Sequence, residues 1–390
     1  MIVDAKQRAD IAAAMDHLQR GDLAGAKAQL AELERRYPQN LELKLHRALA
    51  HRLSGEFSTA VQVLDQALSA DPYFFLALLS KGEILKQMGK ERLAAEIFAN
   101  ALKIAPTEGQ IPSSLKAPIA RARETVDAVS VELEAYLRDA IAGIDRFSSG
   151  DTSARIEETI GILAGTKRIY NAEPIQLHIP RLPAIPFFDR EYFPWLEALE
   201  ANTGTIRDEL VALLELDLPG FAPYIDYPPG TPENQYKELN GSELWSALWL
   251  WRDGEPQLEP QRLCPQTTEV LSSIPMADQQ DFAPTAVFSA LAPNTRIPPH
   301  TGSTNARLLV HLPLVLPGPA GFRVGNETRE WRLGEAWVFD DSIQHEAWNN
   351  ADETRVILIF DVWNPLLNEA EKEMIRVLLR ANYAWSTQEG

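Results

Sequence analysis

The sequence predicts a multidomain α+β protein, in which an N-terminal all-α repeat superhelix precedes a C-terminal β-barrel with flanking helices. Two observations support this prediction. Small and apolar residues recur at a spacing of 34 positions through residues 7–108, a period typical of stacked helical pairs. Residues 296–362 instead consist of short apolar segments separated by Pro and Gly, a pattern typical of an all-β domain.

The helical prediction rests on four positions that recur in three consecutive copies. Glycine permits a tight turn between two helices, alanine lets the helices approach closely, and proline ends the second helix. The pattern resembles three tetratricopeptide repeats over residues 7–108, each a helix–turn–helix. Such arrays commonly hold peptides on their concave face, and a purely structural arm fits the pattern equally well. The recurring residues are Gly21, Gly55 and Gly89; Ala26, Ala60 and Ala94; Leu30, Leu64 and Phe98; and Pro38, Pro72 and Pro106.

Two regions follow the repeats. Residues 109–170 predict a helical cap or linker, with an amphipathic helix over 115–147 and a shorter helix over 153–163. Residues 171–385 predict the domain that contains the barrel, whose strands should start near Trp245. Before that point we expect an extended proline-rich segment over 175–186, a helix over 191–213 and a loop over 219–235.

Charge is unevenly distributed along the 390 residues, whose formal net charge is −18. Residues 1–110 contain 14 Lys and Arg against 14 Asp and Glu, so the acidic excess, 23 against 41, lies entirely in the remainder. Nucleic-acid binding needs clustered basic residues. A nucleic-acid partner is therefore not expected.

Cysteine usage and the first residues indicate a compartment. Cys264 is the single cysteine, so the chain cannot form an intrachain disulfide, which fits a reducing environment. The polar first ten residues, MIVDAKQRAD, lack the apolar stretch of a signal peptide, and no apolar run approaches the length of a membrane span. We therefore expect no membrane span and a cytoplasmic location.

Two histidines are the first candidate metal ligands. His300 and His345 lie 45 positions apart on what read as strand ends of the barrel. Imidazoles suit Fe, Zn, Cu or Ni, and two of them facing inward can hold a catalytic metal with open positions. The usual non-haem Fe(II) triad adds a carboxylate two residues after the first histidine, but Gly302 stands there. The sequence therefore suggests a two-histidine iron site.

Four ordered motifs carry a family resemblance. They read PHTGSTNARL followed by VHL, then RVGNETREW, FDDSIQHEAWN and DVWNP. With them the chain resembles the aspartyl/asparaginyl β-hydroxylases, which are Fe(II)- and 2-oxoglutarate-dependent dioxygenases. The resemblance covers roughly the C-terminal half. It implies that the barrel is a double-stranded β-helix of the jelly-roll or cupin-like type, and that the domain over 171–385 is catalytic.

The resemblance also implies roles for individual residues. His300 and His345 would hold Fe(II), and Arg355 would pair with the distal carboxylate of the cosubstrate 2-oxoglutarate. A planar guanidinium suits that task because it binds a carboxylate through two parallel hydrogen bonds. The family pattern further places Trp245, Ser289 and His311 in the cosubstrate pocket.

Three other polar positions bear on the metal and the substrate. Asp340 and Asp341 are rival metal ligands, but the resemblance implies that both stabilise the turn that aims His345. Arg307 matches an arginine of the family, whereas Leu309 replaces a second one. That replacement removes a positive charge from the substrate side, so the substrate class is less certain than the reaction type.

The predicted function is hydroxylation of an unactivated carbon with Fe(II), 2-oxoglutarate and O₂. The resemblance implies the β-carbon of Asp or Asn in a peptide or protein, which the repeats would present. Three alternatives stay open: a halogenase, since a missing carboxylate makes room for halide; a hydroxylase of a lipid or small molecule; and a catalytically inactive repeat scaffold. The sequence specifies neither the oligomeric state nor the ligand of the repeats.

Overall fold

The computed structural model describes residues 5–144, 150–215, 220–228, 230–231, 235–279 and 281–386. The chain divides into two compact units, Met1–Arg168 and Ile169–Gly390. The predicted repeats and the predicted linker region thus share the first unit, and the predicted β domain lies in the second.

The first unit consists of helices that pack in sequence order. The six helices of the repeats are joined in pairs by short turns, and two further helices follow them, the first of which has 29 residues. Their bounds are α1 Ala5–Gln19, α2 Leu23–Arg36, α3 Leu41–Leu53, α4 Phe57–Ala70, α5 Phe75–Gln87, α6 Glu91–Lys103, α7 Ser113–Ile141 and α8 Gly150–Ala164.

The recurring residues act as their chemistry predicts. Gly21, Gly55 and Gly89 have φ angles of 78°, 76° and 71° in the turns within each helix pair, a conformation that residues with a Cβ rarely adopt. The recurring alanines and the large apolar residues four positions later are fully buried between helices. The prediction of a helical, tetratricopeptide-like N-terminal region is therefore confirmed.

The helices after the repeats differ from prediction at their ends. Helix α7 runs over Ser113–Ile141, and residues 145–149, the last part of the predicted 115–147 helix together with the two residues after it, lie outside the described residues. Its residues Ile119 and Ala122 pack with Phe98 of α6, so α7 covers the apolar face of the last repeat. Helix α8 is slightly longer than the predicted 153–163 segment.

The second unit contains five helices and eleven strands among its described residues. The helices are α9 Leu196–Ala201, α10 Thr203–Glu215, α11 Leu258–Leu263, α12 Pro265–Ser272 and α13 Glu369–Ser386. The strands are β1 Ala222–Pro223, β2 Trp245–Arg252, β3 Glu255–Pro256, β4 Ala286–Leu291, β5 Thr295–His300, β6 Arg307–Val315, β7 Ala320–Val324, β8 Glu327–Glu330, β9 Trp337–Phe339, β10 His345–Asn349 and β11 Arg355–Trp363.

The predicted continuous helix over 191–213 is wrong, because a break separates α9 from α10. The Asn202 side-chain amide donates to the Ala198 carbonyl at 2.8 Å, and the Thr203 hydroxyl donates to the Glu200 carbonyl at 2.6 Å. Such side-chain bonds compete with the backbone bonds that would continue a helix. The predicted 219–235 loop also contains the short strand β1.

The strands form two antiparallel sheets. The larger has the order β1–β2–β4–β11–β6–β9, with β3 paired to β2, and the smaller has the order β5–β10–β7–β8. The prediction of a C-terminal β domain with flanking helices is confirmed at the level of these two antiparallel sheets. No helix in the described parts of the chain is both long and apolar enough to cross a membrane.

The two faces of the larger sheet have different surroundings. Successive strand residues point to opposite faces, so Leu358 and Phe360 of β11 pack with Leu210 of α10 in one core. Their neighbours Ile357 and Ile359 pack in a second core with residues of the smaller sheet. Every second residue of the larger sheet therefore faces the smaller sheet, and the candidate site lies on that side.

Candidate active site

A cavity of about 300 Å³ lies among residues from both sheets. Alternation along each strand explains why their polar side chains enter it, since these residues share a face with the apolar side chains of the second core. The structure thus brings all of the predicted site residues to one cavity. These residues are Trp245, Ser289, His300, His311, His345 and Arg355.

Strand pairing places the two candidate metal ligands side by side. Strands β5 and β10 are antiparallel neighbours, and their register puts His345 opposite His300. The centroids of the two imidazole rings are 4.0 Å apart. Two residues 45 positions apart in the sequence are therefore neighbours at one end of the smaller sheet.

Hydrogen bonds select the nitrogen that each histidine presents. The Nδ1 atom of His300 lies 2.7 Å from the Pro298 carbonyl oxygen, and that of His345 lies 3.0 Å from the Ile343 carbonyl oxygen. A carbonyl only accepts, so each Nδ1 must carry the proton and donate. Each Nε2 then keeps its lone pair, which is the arrangement of metal-binding histidines with an oriented second nitrogen.

Burial keeps both imidazoles neutral. It lowers the pKa of His300 to about 4, although the Pro298 hydrogen bond and Glu346 oppose the shift. The pKa of His345 lies well below its usual value because of burial and the neighbouring His300. Neutral imidazole is the form that binds a metal, so the pair is ready for one at neutral pH.

The structure explains the glycine at the usual carboxylate position. A Cβ atom at Gly302 would overlap the carboxyl group of Asp341, and the Gly302 N–H donates to the Asp341 carbonyl at 2.7 Å. Within the described residues, no group of three His, Cys, Asp or Glu side chains is placed to hold a metal ion. The arrangement therefore offers two histidines rather than a complete triad.

The two aspartates of the FDDS motif have different surroundings. Asp340 accepts hydrogen bonds from the Ser342 N–H at 3.0 Å and from its hydroxyl at 2.5 Å, which is the turn-stabilising role expected of both. Asp341 instead lines the cavity. Burial, together with repulsion from Asp340 and Asp361, raises the pKa of Asp341 to about 8. The side chain of Asp341 therefore lies at the cavity, whereas the resemblance implied a role in the turn.

Arg355 is a buried cation in the wall of the cavity. Its side chain is 1% exposed, and none of its three guanidinium nitrogens has a hydrogen-bond partner among the described residues. Burial lowers the pKa of Arg355 to about 9, so the group stays charged at neutral pH. An unpaired buried charge is strongly unfavourable, which makes the cavity a site for an anion.

Other donors surround Arg355. The ring of Trp331 lies 5.3 Å from the Arg355 guanidinium carbon, and His311 stacks on Trp331 at 5.5 Å. The Nε1 of Trp331 and the Nδ1 of His311 are buried without partners among the described residues. Sequence reasoning missed Trp331, because nothing in the sequence distinguishes it from a tryptophan of the core or shows that it lies beside Arg355.

A hydrogen bond orients the serine of the site. The Trp245 indole N–H donates to the Ser289 hydroxyl oxygen at 3.0 Å. Since that oxygen accepts from the indole, the hydroxyl proton of Ser289 is left to donate to a third group. Trp245 thus positions a neutral donor on the wall of the cavity.

Three residues before β2 also belong to the site, and sequence reasoning missed them. Tyr224 stacks on Trp245 at 4.1 Å, and the ring of Tyr236 lies 5.0 Å from that of His300. Gln235 holds the backbone after His300, since its amide donates to the Thr301 carbonyl at 2.9 Å and accepts from the Thr301 N–H at 3.1 Å. They occupy what the sequence indicated only as loop and loop end.

A second arginine lines the same cavity and is paired. The Nη1 of Arg307 donates to the Asp361 carboxylate at 2.5 Å and to the Phe282 carbonyl at 2.8 Å. Asp361 also accepts from the Thr285 N–H at 2.9 Å. Leu309 follows Arg307 on the cavity-facing side of β6, so an apolar side chain separates this ion pair from His311.

With the site assembled, the chain can be compared with known proteins. The sequence profile of the aspartyl/asparaginyl beta-hydroxylases matches residues 200–365, from the end of α9 to the end of β11. The ornithine lipid ester-linked acyl 2-hydroxylase of Rhizobium tropici is 32% identical over 204 residues, which cover 51% of this chain and 68% of that protein.

Longer and weaker similarities also exist. The human aspartyl/asparaginyl beta-hydroxylase is 26% identical over 365 residues, covering 91% of this chain but only 42% of the human protein. The chain therefore spans less than half the length of that relative. The crystal structure of PcrH from Pseudomonas aeruginosa overlaps 33% of this chain and 94% of its own, with 18% identity and a TM-score of 0.29, too low to support an inference.

Proposed function

Since the chain belongs to the aspartyl/asparaginyl β-hydroxylase family, we propose that it is an Fe(II)- and 2-oxoglutarate-dependent hydroxylase of an unactivated carbon. One observation supports the cosubstrate above all others: the buried guanidinium of Arg355 has no hydrogen-bond partner among the described residues. A carboxylate bound there would gain charge-assisted, two-pronged hydrogen bonds. The buried indole N–H of Trp331 favours the same anion, and His311 would add a donor in the tautomer that carries its proton on Nδ1.

The histidine pair fits iron by its chemistry. His300 and His345 would hold Fe(II) through Nε2, with their Nδ1 protons fixed on backbone carbonyls. Iron, O₂ and 2-oxoglutarate together would supply the oxidising power. Overall, substrate C–H, O₂ and 2-oxoglutarate give C–OH, succinate and CO₂, with one oxygen atom in the alcohol and the other in succinate.

The protein's own residues would bind, orient and exclude water. Arg355, His311 and the Ser289 hydroxyl would hold the cosubstrate. The buried rings of Tyr224 and Tyr236 line the cavity, and burial raises the pKa of both phenols, so neither adds a negative charge. We further propose that the two sheets are the halves of a jelly-roll or cupin-like double-stranded β-helix.

Two substrates are candidates. The first is the β-carbon of Asp or Asn in a peptide or protein, as the name of the human relative indicates, with the peptide held by the helical repeats. The second is an acyl chain, the substrate named for the Rhizobium tropici relative. The apolar Leu309 in the cavity favours the second. A cytoplasmic location stays a prediction from the sequence.

The decisive experiment measures iron and cosubstrate binding directly. Fe(II)-loaded protein is titrated with 2-oxoglutarate without oxygen, and the visible metal-to-ligand charge-transfer band is followed. Admitting oxygen should then give Fe(II)-dependent succinate. His300→Ala and His345→Ala should each abolish iron binding, since two protein ligands leave no reserve. His17→Ala, which changes an exposed histidine paired with Asp22 in the first unit, is the matched control.

The alternatives give different results. An inactive scaffold would form no succinate even with substrate present. A halogenase would form a chloride-dependent product instead of one that has gained oxygen. Asp341→Ala should lower stability or activity while iron still binds, and if it loses iron as completely as the histidine variants, the two-histidine assignment is wrong.

A further inference from the structure

The charge balance at the Arg307 side of the cavity bears on the substrate, and this inference rests on the proposed function. Arg307 and Asp361 form a buried ion pair, with side chains 12% and 4% exposed. The pair is tied into the fold through the Phe282 carbonyl and the Thr285 N–H. A guanidinium held this way is electrically balanced, so it offers little attraction to a second carboxylate.

This ion pair lies away from the cosubstrate site. Arg355 and Asp361 are six residues apart on β11, and a strand rises about 3.3 Å per residue, so their Cα atoms are roughly 20 Å apart. Both side chains face the cavity. A ligand held by Arg355 leaves the Arg307 side for the substrate.

No other cation supports a substrate carboxylate there. Among the described residues that line the cavity, Arg307 and Arg355 are the two basic ones, whereas Asp253, Asp341 and Asp361 are acidic. In neither protonation state does Asp341 add a positive charge. A free carboxylate entering beside Arg307 would lose its water and meet other carboxyl groups, which is unfavourable.

Arg307 nevertheless keeps one donor unused. Its Nε is buried and has no hydrogen-bond partner among the described residues, and an unsatisfied buried donor favours a ligand that supplies an acceptor. We propose that Arg307, balanced by Asp361, recognises an uncharged carbonyl, an ester or amide, next to the carbon that is hydroxylated, and that it discriminates against a free carboxylate.

The cavity walls favour an acyl chain as the source of that carbonyl. Ile175 lines the cavity and is 61% exposed, and Tyr227 lines it and is 38% exposed. Ile225 and Leu309 add partly buried apolar surface next to the second core. Exposed apolar side chains at a cavity suit a ligand that brings its own apolar surface.

The test uses the full-length Fe(II)-loaded protein and four probes in two matched pairs. Methyl octanoate and octanoate share a chain and differ by a charge, as do two peptides that differ only by Asn or Asp. Succinate formation above the uncoupled rate and oxygen gain by mass spectrometry are measured at neutral pH. Methyl octanoate should exceed octanoate by about tenfold or more in kcat/KM, equivalent to about 1.4 kcal/mol.

A charge variant then tests the cause. Leu309→Arg places a cation beside the ion pair on the cavity face of β6, and it should shift the preference toward octanoate by about tenfold. Leu309→Met is the uncharged control and should keep the wild-type preference. Both variants must retain the anaerobic charge-transfer band, which shows that fold, metal site and cosubstrate site are intact.

The outcomes separate this inference from the function beneath it. Absence of the band in wild type overturns the proposed function and the inference with it. With the band present, the inference alone is overturned if octanoate is turned over as well as methyl octanoate or better, or the Asp peptide as well as the Asn peptide or better. It is also overturned if neither methyl octanoate nor the Asn peptide stimulates succinate formation. Stimulation by the Asn peptide and not by the ester keeps the carbonyl assignment and overturns the acyl chain.

Discussion

Two arginines line one cavity and differ in whether the protein itself supplies a hydrogen-bond partner. Arg307 has its carboxylate partner within the protein, at 2.5 Å in Asp361. Arg355 is the more deeply buried of the two and has no hydrogen-bond partner among the described residues. Both side chains come from neighbouring antiparallel strands, β6 and β11.

The difference distinguishes a cation that is paired within the protein from one that is available to bind an anionic ligand. The two charges of a buried ion pair balance each other without any ligand. Replacing one partner by an uncharged residue leaves the other charge buried and unpaired. A buried unpaired cation lowers stability until an anion arrives, and the fold keeps it only if something else selects for it. On this basis we assign Arg307 to the substrate side as a balanced donor and Arg355 to the cosubstrate.

The largest expected effect is on stability at the paired arginine. Arg307→Met leaves Asp361 buried without its partner and should lower the free energy of unfolding by about 3–5 kcal/mol. Urea denaturation of the metal-free protein at neutral pH measures it. The double variant Arg307→Met with Asp361→Leu removes both charges and should recover part of the loss. A loss below about 1 kcal/mol in the single variant, the range of exposed pairs, would show that the pair is not balanced as described.

The same comparison applies to a buried base whose charged form is disfavoured, His300, because burial outweighs the opposing effect of Glu346 on its pKa. An unfolded histidine takes up a proton near pH 6.5, whereas burial lowers the pKa of folded His300 to about 4. Stability from this group is therefore complete above pH 6.5 and is lost as the pH falls toward 4. The slope is about 1.4 kcal/mol per pH unit for each such histidine.

Urea denaturation of the metal-free protein at a series of pH values tests that slope. Carboxylates titrate in the same range, so the variant His300→Gln serves as the reference. Between pH 6.5 and 4.5, the free energy of unfolding of this variant should fall less steeply than that of wild type, by up to about 1.4 kcal/mol per pH unit, the slope for one proton. Parallel curves for the wild type and the variant would mean that folded His300 titrates like an exposed histidine.

The third effect concerns the unpaired arginine and its anion. Hydrogen bonds to charged groups contribute roughly 1.5–3 kcal/mol, and leaving the ligand carboxylate without its partner costs more. Arg355→Ala should therefore weaken 2-oxoglutarate binding by about ten- to several-hundred-fold, and Arg355→Lys should fall between because an ammonium lacks the fork. The charge-transfer titration measures both, and iron affinity should not change. Equal 2-oxoglutarate affinity in wild type and Arg355→Ala would remove the main support for that cosubstrate.

The sequence predicted elements whose cause is local. The period of 34 places glycines where the turns need φ above zero, so it specified the helix pairs. The family motifs implied that His311 and Arg355 share one pocket, and both line the cavity. Local propensity failed at Asn202, where side-chain bonds to the backbone end a helix that the apolar pattern continues.

What the sequence left out depends on register between distant segments. Arg307 and Asp361 are 54 residues apart, and nothing in either segment shows that the two charges meet. Trp331 is 24 residues from Arg355 in the sequence, and only the folded chain brings its ring to 5.3 Å from the guanidinium carbon. Tyr224 is brought onto Trp245 by the short pairing of β1 with β2, which two residues of sequence cannot indicate.

The smallest expected effect has the opposite sign from the first and completes the comparison. Arg355→Met removes an unpaired buried cation, so the metal-free protein should become more stable by roughly 1–3 kcal/mol, the penalty of burying a polar group without a partner. Urea denaturation at neutral pH measures it beside Arg307→Met, which has the same change of side chain. Adding Fe(II) and 2-oxoglutarate without oxygen should shift the difference toward wild type, because a ligand at 100 times its Kd stabilises wild type by about 2.7 kcal/mol, whereas the variant binds it about ten- to several-hundred-fold more weakly. If Arg355→Met destabilises the metal-free protein as Arg307→Met does, then Arg355 has a protein partner, and the two arginines are alike.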